Sequence, residues 1–345
     1  MLDAWEGPLT TPVLSIRNLT TEFAVGSGVL RAVDAVSFDL HQGEVLGVVG
    51  VFGCGKSATV LSALRLIPEP PARIRSGEVI FQGKDLLSLS KSELRRVRGK
   101  GIGMVFQDPM TSLNPVLTIG QQIVEVLEAH DPNLKREQAR SKAVELLDSV
   151  GVPDPARRIR QYPHEFSGGM RQRAMIAIAI ANTPAVLIAD EPTTALDVTI
   201  QAQVLRVLEE SRRETGAATI LITHDLGLIA EMADRVVVMY AGRVIETGTA
   251  HEIFNSPRHP YTVGLLGSLP AIDGPIQRLA SIDGSPPDLV DLPPGCPFLP
   301  RCGLADGREV CREQRPPLAP ASDSQLSACH LMDEVPGYAM ARGVT

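Results

Sequence analysis

The residues whose types and spacing could do chemistry begin at Gly50. The run Gly50-Val51-Phe52-Gly53-Cys54-Gly55-Lys56-Ser57 fits G-x-x-x-x-G-K-[ST]. Glycines at these positions let backbone N–H groups turn inward as an anion nest. The N-terminus of the helix that should follow adds positive potential. In such a loop Lys56 reaches the β- and γ-phosphates of a nucleotide, and Ser57 ligates Mg²⁺. Cys54 fills a small-residue slot, and its place at a helix N-terminus makes it a candidate for alkylation. A second piece is Val186-Leu-Ile-Ala-Asp190-Glu191, an apolar run ending in two carboxylates. Alone it reads equally well as a strand end with solvated acids. Beside a phosphate loop, Asp190 is placed to hold Mg²⁺ through water. Glu191 is placed to take a proton from the attacking water.

These groups need elements to position them. Val45–Val49 is short and apolar, as a buried strand should be. Lys56 to Leu66 reads as a helix. Further strand patterns lie at 13–16, 33–40 and 78–81. Residues 116–183 read as mainly helical, with helices over 119–130 and 134–150, and Gly151 as a C-terminal stop. From 185 the pattern alternates: strand 185–189, helix 198–214, strand 218–223 and helix 225–233. Segments 235–240 and 243–246 then pair as a hairpin around Ala241-Gly242. Alternation of this kind predicts an α/β fold with a largely parallel core sheet. Beyond 256 prolines multiply, as in Pro286-Pro287, Pro293-Pro294 and Pro316-Pro317, and long helices are not expected. The domain boundary falls at 256–262.

Composition narrows the function. The chain has 345 residues, enough for roughly two domains. It is 44% hydrophobic, which excludes a disordered chain. Lys+Arg 33 against Asp+Glu 40 leaves a net charge of −7, where a bulk nucleic-acid binder usually carries a basic excess. Aromatics at 4% leave few platforms for stacking single strands. The longest apolar tract, Met175 to Ala189, is interrupted by Asn182, Thr183 and Pro184 and falls short of a membrane span. The first residues lack a basic and apolar leader, so the expected location is cytoplasmic.

Five further segments carry a resemblance. Phe166-Ser167-Gly168-Gly169-Met170-Arg171-Gln172 resembles the signature motif of ATP-binding-cassette (ABC) ATPases. Gln107 in Val105-Phe-Gln-Asp-Pro resembles their Q-loop, Ala195-Leu196-Asp197 their D-loop, and His224 in Thr223-His-Asp-Leu their switch histidine. Phe23 sits where that family stacks an aromatic on adenine, although it could simply be core. The pieces occur in the family's order over residues 12–256. The resemblance implies a P-loop ABC-type nucleotide-binding domain with a helical subdomain at about 108–183. It implies ATP and Mg²⁺ as ligands, with Mg²⁺ held by Ser57, Gln107 and Asp190. Glu191, His224 and Gln107 would be catalytic. Phe23, Gly50, Gly53, Cys54, Gly55, Lys56, Ser57, Asp190, Ser167, Gly168, Gly169 and Asp197 would contact nucleotide. In this family the phosphate loop of one subunit and the signature of another share each ATP. Ser167-Gly168-Gly169 suits that role, since it opens a helical run from Met170 to Ala181. Relatives commonly begin the loop Gly-Glu-Ser, whereas this chain has Gly50-Val51-Phe52, a departure that puts a bulky apolar residue beside the phosphates.

The tail adds Cys296, Cys302, Cys311 and Cys329-His330. Clustering in a reducing compartment suggests metal more than disulfides. No C-x2–4-C pair marks a zinc site. Iron–sulfur clusters accept more varied spacings, and free thiols are the remaining reading. His259-Pro-Tyr-Thr, Pro286-Pro-Asp-Leu and Pro294-Gly-Cys-Pro-Phe-Leu-Pro-Arg-Cys resemble the tail of dipeptide/oligopeptide-permease ATPases. Some members of that family carry a [4Fe–4S] cluster on such cysteines. Residues 257–345 are thus expected to form a small Pro-rich domain with a four-cysteine metal site, because a proline-rich segment does not easily build its own core.

Together these features predict an ATP-hydrolysing subunit that powers dipeptide or oligopeptide import and is peripheral to the cytoplasmic face of the membrane. The implied partners are a second ABC ATPase (a different chain or a second copy), two transmembrane permease subunits and an extracytoplasmic solute-binding protein, with no nucleic acid. Two other readings stay open: a non-transport ABC ATPase on nucleic acid or ribosomes, and a redox-regulated ATP switch.

Overall fold

A computed structural model describes residues 11–26, 28–193, 198–268 and 282–344. The strands in chain order are β1 (Leu14–Val25), β2 (Gly28–Leu40), β3 (Val45–Val49), β4 (Ala72–Phe81), β5 (Lys84–Asp85) and β6 (Ile102–Val105). They continue as β7 (Val186–Asp190), β8 (Ala218–Ile222), β9 (Arg235–Tyr240), β10 (Arg243–Thr249), β11 (Ala319–Pro320) and β12 (Leu326–Ser327). The chain divides into two compact units. One comprises Met1–Ser15, Asp39–Glu44 and Val79–Ile220, and the other Ile16–Phe38, Val45–Glu78 and Leu221–Thr345.

In the first unit, β6 and β7 run parallel, with Ile102 opposite Val186 and Val105 opposite Ala189. All five residues of β7 are buried, which its unbroken apolar run requires. Helices Ile119–His130, Arg136–Ser149 and Gly168–Ile180 pack on one another, as the helical reading of 116–183 anticipates. Thr118 and Gln121 form a reciprocal capping box that starts the first of them. Gly151, at φ +72, ends the second in the left-handed conformation that glycine favours.

In the second unit, β3 is fully buried and parallel to β9, with Leu46 opposite Arg235 and Val49 opposite Val238. β9 and β10 form the expected hairpin. β1 is longer than the short 13–16 pattern suggests. Asn18 within it has φ +46, and such an irregularity breaks the two-residue alternation that marks a strand.

The tail departs from expectation in how it is held. β12 pairs antiparallel with β10, Glu246 opposite Ser327, and β11 pairs with β12. Val263, Val335 and Ala339 form one small buried cluster, and Ala305, Cys311 and Leu331 another. Proline density hid this arrangement, because the tail borrows a sheet edge and scatters its apolar residues among short turns. Glu246 is the polar centre of the join and is fully buried. It accepts from the Arg258 N–H at 2.6 Å, the Gln325 amide at 2.8 Å and the Thr262 hydroxyl. Burial pushes its carboxyl up to about 7, against the pull of those donors.

Candidate functional site

The phosphate loop follows β3 directly and opens the helix Lys56–Ala63. Two glycines explain themselves by sterics. A Cβ at Gly50 would lie 2.3 Å from the Met239 carbonyl oxygen, and one at Gly55 2.3 Å from that of Ala32. Both also have φ in the region side chains rarely adopt, +153 and +103. Lys56 is buried, and its Nζ donates to the carbonyls of Gly50 (2.7 Å) and Val51 (3.2 Å). The ammonium is thus held along the loop. Ser57 is half-buried on the first turn and Cys54 is buried. Phe52, the departure from the family pattern, is 86% exposed. Phe23 is half-buried on β1, and His224 is exposed just after β8. Asp225 beside it caps the helix Leu226–Met232 by accepting from Gly227 and Leu228.

The first unit assembles two of the three catalytic candidates, Gln107 and Glu191, at the ends of β6 and β7. Parallel register carries Gln107 and Glu191 to the same edge. There the Gln107 Nε2 donates to Glu191 Oε2 at 3.0 Å. Asp190 and Glu191 are both nearly buried, at 4% and 6% exposure. Glu191 has φ +45, a strained value for a non-glycine residue. Strain of this kind concentrates at functional sites. Ser167 caps the helix Gly168–Ile180 through Met170 N–H, and Ser167 and Gly168 face solvent. Gly169 packs close, since a Cβ there would meet Ile200 at 2.7 Å. Asp197 and the rest of the expected D-loop lie outside the described residues.

Cys296, Cys302, Cys311 and Cys329 all line one cavity, with His259, Phe298 and His330. All four are free thiols. Burial pushes Cys296 up to about 11 and Cys329 up to about 12, and raises Cys302 and Cys311. Among the described residues, no three His, Cys, Asp or Glu side chains form a group that could hold a metal ion. The four thiols of the expected metal site thus converge on one cavity, while a metal-holding group is not shown among the described residues.

Sequence reasoning missed Glu246, which looked like an ordinary hairpin acid. It used Tyr261 only as part of a family resemblance, without seeing its hydrogen bond to the phosphate loop. No local pattern could have disclosed either, since their partners are distant in sequence.

The fold and these loops define a P-loop ATPase of the ABC class. A family model described as "ABC transporter" matches residues 33–194, and one described as "Oligopeptide/dipeptide transporter, C-terminal region" matches residues 245–311. The dipeptide transport ATP-binding protein DppD of Bacillus subtilis (strain 168) is 50% identical over 331 residues, covering 96% of this chain and 98% of the relative. The oligopeptide transport ATP-binding protein OppD of the same organism is 50% identical over 315 residues, covering 91% and 87%. Among solved structures, the dimeric post-hydrolysis state of the ATP-binding cassette MJ0796 bound to ADP and Pi superposes with a TM-score of 0.62 at 27% identity, covering 69% of this chain and 98% of that one. The chain belongs to the ATP-binding subunits of the ABC transporter family. Among the described residues no helix is long and apolar enough to cross a membrane.

Proposed function

We propose that this subunit hydrolyses ATP to drive import of dipeptides or oligopeptides through a membrane complex. The Gln107–Glu191 hydrogen bond at the ends of β6 and β7 carries the catalytic part of this reading. Glu191 acts as general base toward the attacking water. Gln107 would orient that water, and Gln107, Asp190 and Ser57 are the residues that would hold Mg²⁺, which would supply positive charge to the phosphates. Lys56 neutralises the β- and γ-phosphates. His224 serves as the switch side chain at the γ-phosphate, Phe23 stacks on adenine, and Asp197 lies at the contact between subunits. Exposed Ser167 and Gly168 complete the site of a second ATPase subunit, so each ATP lies between two chains. ATP then favours the closed dimer, and hydrolysis removes that preference.

The peptide substrate rests on the dipeptide and oligopeptide transport relatives. The functional division follows residues 12–256 as the nucleotide-binding domain, with its helical subdomain at about 108–183, and 257–345 as the tail. Met110 and Val116, at 60% and 75% exposure, follow Gln107 and suit docking to transmembrane permease subunits. The chain would then sit peripherally on the cytoplasmic face, with a solute-binding protein outside. Four convergent thiols are a donor set suited to an iron–sulfur cluster. A [4Fe–4S] cluster on Cys296, Cys302, Cys311 and Cys329 would supply a structural staple once the thiols ionise.

The test is hydrolysis in the complex reconstituted with permease subunits and a peptide-binding protein. Peptide should stimulate wild-type turnover, and Glu191→Gln should retain bound ATP without turnover. Undiminished hydrolysis by that variant would remove Glu191 as the base. Stimulation by non-peptide solutes alone would remove the substrate assignment.

A further inference from the structure

The phosphate loop has an anchor outside its own motif. The Val51 N–H donates to the Tyr261 hydroxyl at 2.9 Å. Val51 is the second residue of the loop, and Tyr261 lies on the helix Pro260–Leu266. Tyr261 is fully buried, and burial raises its phenol, so the group is an uncharged hydroxyl. Its own N–H donates to His259 Nδ1 at 3.0 Å. His259 is also buried, and burial pulls it down to about 3, which leaves the neutral ring that acceptor role requires. The Tyr261 ring packs on Tyr240 at 4.7 Å and edge-on to Phe298 at 5.5 Å. Phe298 also meets Tyr240 at 5.4 Å and His259 at 5.7 Å. Arg301 Nη1 donates to the Tyr240 hydroxyl at 3.4 Å. Phe298 and Arg301 both lie between Cys296 and Cys302. A continuous stack therefore runs from the wall of the cysteine cavity to the backbone of the phosphate loop.

We propose that Tyr261 is a positioning residue of the nucleotide site, holding the Val51 N–H while the ring of Phe298 fixes where its hydroxyl sits. This rests on the reading that the loop binds nucleotide phosphates. The physical reason is preorganisation. Gly50 and Gly53 both have positive φ, +153 and +78, and a glycine-rich loop loses much conformational freedom when it closes on an anion. A fixed hydrogen bond between those two glycines removes part of that cost before nucleotide arrives. Tyr261 touches no phosphate. It acts through Val51, and its effect falls on affinity for nucleotide more than on the chemical step.

The experiment uses the full-length protein. Tyr261→Phe keeps the ring and deletes only the hydroxyl. Its KM for ATP and its Kd for a fluorescent ADP analogue should each rise about threefold to tenfold, the worth of one neutral hydrogen bond. kcat should stay within about twofold. Mere loss of folded protein would lower kcat and leave KM alone. Phe298→Leu, with the hydroxyl intact, should raise both constants in the same direction. The double variant should lose less than the sum of the two, because both act on one contact. Wild-type KM and Kd in Tyr261→Phe, or a fall in kcat alone, would overturn the proposal. Absence of ADP-analogue binding by the wild-type protein would instead overturn the assignment of the loop, and the proposal with it.

Discussion

Gln107 and Glu191 meet because two short parallel strands run in register and end at the same edge. Glu246 and Gln325 meet across 79 residues of chain, through a strand pair only two residues long. The first arrangement needs only local strand signals and one buried ladder. The second depends on a carboxylate that loses all contact with water and is met instead by three donors. A mutation at the strand ends should therefore damage chemistry while the fold survives. A mutation at the tail's join should damage the fold before it touches chemistry.

The largest expected effect tests the first half of that contrast. Glu191→Gln should reduce steady-state ATP turnover by about 10²- to 10⁴-fold, with an unchanged thermal midpoint. A large fall in melting temperature would blur the distinction. Next comes Glu246→Ala, which leaves the Arg258 N–H, the Thr262 hydroxyl and the Gln325 amide buried without their acceptor. Denaturant unfolding should show about 3 kcal/mol of lost stability, while nucleotide KM in the surviving folded protein changes far less.

Glu246→Gln sharpens the comparison through pH. The folded carboxyl sits near 7, above the ordinary 4.5. A raised acid contributes stability that is fully present below 4.5 and is lost as pH rises through 7. The wild-type protein should thus lose about 3 kcal/mol relative to Glu246→Gln between those limits. Melting both proteins across that range measures it. Parallel curves would mean that the carboxylate is ionised throughout. The smallest effect belongs to Arg308→Ala. Its pair with Glu334 is nearly half exposed on both sides, so the cost should be about 0.5 kcal/mol or less and should vanish in high salt.

The sequence disclosed the phosphate loop, the strand ending at Asp190 and Glu191, and the helical run of 116–183 for one shared reason. Each is a contiguous pattern whose physics is local: an apolar run, a glycine-rich turn, a cap. The contact between Gln107 and Glu191, at 3.0 Å, had no mark in the sequence, because it arises from the pairing of two strands far apart in the chain. Tyr261 and Glu246 carried no local mark. Their meaning lies in Val51, 210 residues away, and in Gln325. The cysteines were legible as a cluster, and the structure places all four on one cavity wall.

The short pairing of β12 with β10 has a consequence for life outside the complex. A sheet whose last strand lies bare offers unpaired N–H and C=O groups to any other chain, and that is a route to aggregation. Here β12 covers part of β10, β11 covers β12, and β11 ends at Pro320, which has no N–H to offer. A chain truncated after residue 256 would lose that cover and leave Val244 and Ile245 on a strand with an open side. Such a fragment should precipitate or form oligomers on concentration, a behaviour that light scattering would detect and that has nothing to do with its ability to bind nucleotide.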